Sequence, residues 1–212
     1  MTNLADGVAL AAWGWAASLL TRDALLVALV PVALRLPWFL VALPAGLVAD
    51  RVDRRRLIIA MDGLRAAAFV QGAIAIWAAL PLAAAPLQGV SDAGFYGMIL
   101  IAGLVVGGAE VFRDNAAQMM LPALVGQAEL ERANGRLWSV ELLANSVIGP
   151  ALGAFLIAVA WPLPFALDAV AYGLAMVLVI RIAGNFRAER AADRNGQHEL
   201  GEGYAGDPDK KI

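Results

Sequence analysis

The amino-acid sequence predicts an all-α membrane protein that crosses the bilayer six times, and three observations carry that reading. The chain of 212 residues is 61% hydrophobic and 16% charged, whereas soluble domains run about 45–50% apolar and about 25% charged. Its mean hydropathy is +0.70. The apolar residues gather into six windows, each near the roughly 20 residues that a spanning helix needs, and basic residues collect on one side of them.

The first window covers residues 3–20. A secretory leader is the rival reading there, but no basic segment precedes the window and no small-residue cleavage site follows it, so it reads as a mature helix. Thr21–Asp23 makes a tight turn into the second window, 24–49. That window stops at "ADRVDRRRL", which places Asp50, Arg51, Asp53, Arg54, Arg55 and Arg56 in a short connection before the third window, 57–82. The Pro/Gly-containing stretch "LAAAPLQGVSDAG" reads as a loop leading to the fourth window, 93–120. The fifth runs over 132–160, where "WPLP" forces a turn, and the sixth over 165–182. Residues 1–184 thus form the membrane unit. Residues 185–212 are polar and glycine-rich, the composition of a disordered tail.

Orientation follows from the arginines. With the N-terminus inside, Arg51, Arg54, Arg55, Arg56, Arg132, Arg136, Arg181, Arg187, Arg190 and Arg194 all face the cytoplasm, and Arg22 alone faces out. Positive residues are retained inside, so both termini are expected in the cytoplasm, and the frequent arginine and alanine suggest a bacterial inner membrane. The chain has no cysteine, and its single histidine, His198, lies in the polar tail. Disulfides and thiol chemistry are therefore excluded, and neither a metal site nor a catalytic constellation is visible. The residues imply no enzyme, no cofactor and no nucleic-acid partner, only the lipid bilayer.

A second group of residues needs a reason of its own, because a central Asp or Arg costs about 2.5–3.5 kcal/mol in a spanning helix. Asp6, Arg35, Asp62, Arg65, Glu110, Arg113, Asp114, Glu141 and Asp168 all fall within the apolar windows. Asp62 and Arg65 are three residues apart on one helix face, as are Glu110 and Arg113, and a rise of about 1.5 Å per residue puts the four at similar depth. Two readings stand: a structural ion-pair network joining helices, or a proton and substrate pathway. Glu141 and Asp168 read as helix-packing acids. Trp77 and Trp161 fit interfacial belts, and Trp13, Trp15 and Trp38 either line an apolar pocket or pack between helices. Gly103, Gly107 and Gly108 suggest a close helix crossing.

The connection "GLVADRVDRRRL" resembles the signature loop of the major facilitator superfamily, in which a glycine, an aspartate–basic pair, a second glycine and two basic residues join helices two and three. Gly46, Asp50, Arg51, Arg54 and Arg55 fall on that pattern, with Asp53 in place of the second glycine. "DGVALAA", "RLPWFLVALPAG", "LPALV" and "ANSVIGPALGAFL" are similar to the exporter branch that includes enterobactin and macrolide efflux proteins, and the likeness runs from about Leu4 to Arg194. In helix five the chain keeps Gly149, Pro150 and Gly153 of a longer glycine-rich antiporter signature, with Arg136 and Asn145 where two further glycines stand.

The resemblance implies one six-helix half of a major facilitator fold, which is built from two such halves around a central site. It implies secondary-active efflux of drug- or siderophore-like amphipathic molecules by alternating access, and a helix-five bend that closes one side of the cavity. Asp50 would cap a helix of a second half. Arg54 would pair with an acid near the end of helix four, for which Glu129 and Glu131 are candidates, and Arg113 would influence proton transfer. The arginine cluster also has a plainer reading as a topogenic anchor. After Arg194 the likeness ends, and Met1 lies only five residues before Asp6, so the expectation is an N-terminal half from a truncated or split gene. It would work with a second six-helix half or as a homodimer; the alternative is a non-transporting remnant or assembly partner.

Overall fold

The computed structural model describes residues 2–80, 83–125 and 129–181. Among these, the regular structure is entirely helical: α1 (Thr2–Leu20), α2 (Ala24–Arg51), α3 (Arg54–Ala78), α4 (Ala93–Leu124), α5 (Leu130–Leu143), a π-helical turn (Ala144–Ile148), α6 (Gly149–Val159) and α7 (Leu163–Arg181). α5, the π turn and α6 make one continuous rod of 30 residues. This rod and α2, α3, α4 and α7 are the five helices long and apolar enough to cross a membrane. α1 has the length, at 19 residues, but Asn3, Asp6 and the run Trp13–Gly14–Trp15 dilute its apolar character. The tail expected at 185–212 lies outside the described residues.

Three aspartates set where helices begin. The side chains of Asp23, Asp53 and Asp92 accept hydrogen bonds from the N–H groups of Leu25 (3.0 Å), Arg56 (2.9 Å) and Phe95 (2.9 Å), each satisfying an otherwise unpaired donor of a first turn. Asp53 thereby starts α3 at Arg54 rather than at the expected 57. α3 ends at Ala78 instead of 82, and α4 continues past 120 through Pro122. The α3–α4 loop is stitched to the α1–α2 turn. The Thr21 hydroxyl donates to the Gly89 carbonyl at 2.6 Å, Ser91 N–H to Leu20 at 2.8 Å and Arg22 N–H to Pro86 at 2.8 Å. Gly89 has φ 73°, a left-handed turn conformation that glycine adopts without penalty.

α1 is central, packed on α6, α7 and α2, while α2 packs on α4, and α3 on both α4 and α7. Exchanging the first three rods for the last three maps these pairings onto one another except α1 with α2, whose counterpart, α4 with the α5–α6 rod, makes no comparable contact among the described residues. Two crossings are close enough to require glycine. A Cβ at Gly7 would stand 2.7 Å from the Ala144 carbonyl oxygen, one at Gly149 would stand 2.5 Å from the Gly7 Cα, and one at Gly107 would collide with the Leu34 carbonyl oxygen. Gly103 faces Ala33 and Leu34 across the same α2–α4 crossing, but Gly108 has no heavy atom within 4 Å and is not part of it.

The π turn has an identifiable cause. Pro150 lacks an N–H and its ring excludes the carbonyl four residues earlier, so the rod widens just before it and the Gly149 N–H reaches back to Ala144. Such single widened turns are the usual form of π-helix.

Buried side chains fall into layers. One apolar cluster contains Trp13, Leu34, Phe69, Ile99, Val106 and Phe165, and a smaller one contains Ala49, Ile58, Ala116 and Met120. Along α3 the order is Ile58, then Asp62 and Arg65, then Phe69. Along α4 it is Val106, then Glu110, Arg113 and Asp114, then Ala116. The charged residues therefore lie between two apolar plugs.

Candidate functional site

The charged layer draws on five helices. α3 contributes Asp62 and Arg65, whose burial at 0% and 1% exposure follows from their position on the face that packs against α4 and α7. α4 contributes Glu110, Arg113 and Asp114; α1 contributes Thr2 and Asp6; α2 contributes Arg35 and α7 Tyr172. The i, i+3 pairs within α3 and within α4 do not bond to each other. Instead the pairing runs between helices. Arg65 pairs with Asp6 of α1 and stands 4.0 Å from Glu110 of α4, while Arg113 stands 3.5 Å from Asp62 of α3.

Arg65 is the hub. Its Nη2 donates to Asp6 and to the Tyr172 hydroxyl at 2.6 Å, and that hydroxyl in turn donates to Asp6 at 2.5 Å. The guanidinium also lies 4.1 Å from the centroid of the Tyr172 ring, a cation–π arrangement. Phe69 stacks on the other partner of this pair, 5.4 Å from Tyr172. Arg113 donates to Asp114 at 2.9 Å and to the Thr2 hydroxyl at 3.0 Å. Arg35 reaches Glu110 at 3.4 Å from a side chain that is itself 59% exposed.

The layer has an open edge and a closed interior. Asp6, Glu110, Arg113 and Asp114 are partly exposed, whereas Asp62 and Arg65 are sealed. Four carboxyls (Asp6, Asp62, Glu110 and Asp114) meet three guanidinia (Arg35, Arg65 and Arg113), so the layer carries an acidic excess, while the fully buried Asp168 stands apart from the ion pairs. Glu141 is exposed on α5, and the described residues provide it with no ion-pair partner. Among the described residues no three acidic side chains converge as metal ligands would.

The arginine-rich connection works within this helix set. Arg54 is 3.6 Å from Asp50 and reaches the Met119 carbonyl near the end of α4 at 3.5 Å. Arg55 donates to Val179 at 3.1 Å and to Ile180, both in the last turn of α7. Cations at helix C-termini meet unpaired carbonyls and the negative end of the helix dipole. The expected pairing of Arg54 with Glu129 or Glu131 is absent among the described residues; both acids are exposed at the start of α5, and Arg54 takes Asp50 and a carbonyl instead. Arg51 and Arg56 are exposed, and a Cβ at Gly46 would stand 3.9 Å from the Asn115 side chain. Asp53 replaces glycine without strain, because its φ of −66° is ordinary and its carboxylate caps α3.

Helix five places Gly149 and Gly153 buried against α1, with Pro150 half-buried between them. Of the tryptophans, Trp13 is buried core, Trp15 packs edge-on against Trp161 at 5.2 Å, and Trp77 is 71% exposed. Sequence reasoning missed Tyr172 and Thr2 as members of the charged layer. A tyrosine in an apolar helix carries no signal of its own, although its i+4 relation to Asp168 was there to be read.

These features define a multi-pass, all-helical membrane protein with a charge network at the heart of its bundle. The family model of the Major Facilitator Superfamily matches residues 3–203, and the chain belongs to that superfamily. Members of this family are transporters rather than enzymes, and movement of a solute across a membrane is the activity that membership carries. Neither the curated proteins nor the solved structures returned a match.

Proposed function

We propose that this chain forms one six-helix half of a secondary-active exporter. It moves small hydrophobic or amphipathic molecules, of drug or siderophore type, by alternating access and in exchange for an ion. α1 is the sixth span, its hydropathy lowered because it lines polar groups at the bundle centre. The exchange relation between the first and last three rods supports this reading, since major facilitator halves are nested three-helix repeats. The setting is a bacterial inner membrane with both termini in the cytoplasm, as the arginine asymmetry favours.

The observation that carries the proposal is the uncovered polar edge. Arg35 lies midway along an otherwise apolar helix with a 59% exposed side chain, beside partly exposed Glu110, Asp6 and Asp114. Exposed charge at that depth is expensive in lipid, so the edge faces a water-lined cavity whose other wall is a second six-helix half. α5 has no buried residue, and on α2 Phe39 and Leu43 are 86% and 83% exposed, which leaves both helices free to meet that partner. Asp50, Arg51, Arg54 and Arg55 would then latch the cytoplasmic side, and the turn at Gly149, Pro150 and Gly153 would shape the cavity wall. Reconstitution into liposomes tests this with amphipathic dyes and siderophore-like substrates under a proton gradient. The chain alone should give no gradient-dependent flux, and flux should appear when it is joined to a second half. Flux from the chain alone would replace the half-transporter by a homodimer, and no flux in either form would favour a non-transporting assembly partner.

A further inference from the structure

Two neighbouring helices present apolar faces to the outside of the bundle, and both faces end in an arginine at the same end of the membrane. On α3 the exposed Ala60, Leu64 and Ala67 follow exposed Arg56 at steps of four, four and three residues, so all four share one helix face. On α7 the exposed Leu174 and Leu178 lead to exposed Arg181 at steps of four and three. α3 and α7 pack against each other. Arg55 ties their ends together, donating to the Val179 carbonyl at 3.1 Å and to that of Ile180. Arg56 follows Arg55 in the chain and Arg181 follows Ile180, so the two arginines flank this contact.

Neither guanidinium has an acidic partner among the described residues. The acids of the nearby connection are engaged: Asp50 stands 3.6 Å from Arg54, and Asp53 caps α3. Two adjacent cations at the rim of an apolar seam attract an anion, and the guanidinium fork matches phosphate oxygens. In a bilayer the apolar faces border acyl chains, while long basic side chains at helix ends reach to the headgroups.

We propose that α3 and α7 form a binding site for an anionic phospholipid, its phosphate held by Arg56 and Arg181 and its acyl chains lying along the two apolar faces. A zwitterionic lipid offers the same phosphate, but its ammonium group cancels the charge that the arginine pair selects. Arg51 is also exposed and belongs to the same connection. It ends α2, however, whose main packing is on α4 and α1, and so lies off the seam. The inference needs only a membrane-spanning bundle and stands apart from the exporter reading, so either can fail alone.

The full chain, which lacks cysteine, takes a fluorescent label at Ala67→Cys, midway along α3. It is reconstituted in vesicles of phosphatidylcholine and phosphatidylglycerol, with quenching bromine atoms carried on the acyl chains of one lipid or the other. Phosphatidylglycerol should occupy the surroundings of the label well above its share of the bilayer. Arg56→Gln and Arg181→Gln should each lower that preference, by up to about fivefold for one cation at an anionic surface, and the double variant should abolish it. Arg56→Lys with Arg181→Lys keeps both charges and should retain most of it, and Arg51→Gln should leave it unchanged. Helical circular dichroism confirms that each variant is folded. Quenching in proportion to bilayer composition in the otherwise unmodified chain overturns the site and leaves the two arginines to water or to the acids beyond Arg181. A preference that survives in the double variant overturns it too. An equal loss in Arg51→Gln does the same, because it reduces the effect to a diffuse surface potential.

Discussion

Arg65 joins three other helices through one planar group: Asp6 on α1, Tyr172 on α7 and Glu110 on α4. Its removal leaves carboxylates without their cation in a closed interior, and breaking a buried pair on one side costs about 3–5 kcal/mol. Arg65→Ala should therefore lower thermal stability in detergent far more than Arg35→Ala, whose pair is largely solvent-accessible; similar losses would show that the hub is not the organising contact. Arg65→Lys should fall between, because an ammonium cannot both fork and lie against the Tyr172 ring. The glycines separate as sharply. Gly107→Ala drives a methyl into the Leu34 carbonyl and should cost about 1–3 kcal/mol as overpacking does. Gly108→Ala meets nothing within 4 Å and should be neutral or gain up to about 1 kcal/mol from helix propensity. Parallel melts of the two variants check this, and equal effects would contradict the crossing.

The connection between α2 and α3 behaves as a set of caps. Asp53→Ala removes the N-cap of α3 and should lose about 1 kcal/mol, while Asp53→Gly should lose only a few tenths; unfolding in detergent distinguishes them. Arg54 reaches the Met119 carbonyl of α4 and Arg55 the carbonyls of the last turn of α7, and Arg56 reaches neither. In the proposed exporter, with this chain joined to a second six-helix half, Arg54→Ala and Arg55→Ala should reduce transport at matched expression and Arg56→Ala should not. Equal effects at the three positions would reduce the cluster to a topogenic anchor. This element also explains why an aspartate can stand where the family pattern has glycine: the turn has no positive φ to accommodate, and a capping side chain is more useful there than conformational freedom.

For the molecule as a whole, the sidedness proposed from the arginine asymmetry can be tested directly, since the chain lacks cysteine. Gln88→Cys, in the α3–α4 loop, should react with an impermeant thiol reagent in intact cells. Arg56→Cys, exposed at the start of α3, should react only after permeabilisation. The reverse pattern would invert the topology. The same experiment assigns each apolar plug to a compartment, because the larger cluster lies on the side of Gln88 and the smaller one on the side of Arg56.

Much of this was legible before folding was considered. Composition and apolar windows determine a helical membrane protein, because a bilayer offers backbone groups no partner and forces each span to satisfy its own. Asp23, Asp53 and Asp92 mark helix starts by local chemistry, and the loop from Gly46 to Arg55 carries its resemblance in consecutive residues. What sequence could not determine is who pairs with whom. Spacing along α3 and α4 sets Asp62 near Arg65 and Glu110 near Arg113, yet the pairs form crosswise between helices, and Arg54 turns to Met119 rather than to Glu129 or Glu131. Such pairings depend on how far each helix is rotated and slid against its neighbour. Those two quantities are decided by non-local backbone contacts, Gly107 on Leu34 and Gly7 on Gly149, and by the π turn ahead of Pro150. Only the tertiary structure brings Tyr172 to Asp6 across 166 residues of chain and leaves Asp168 buried without a partner, since both follow from packing that no local pattern encodes.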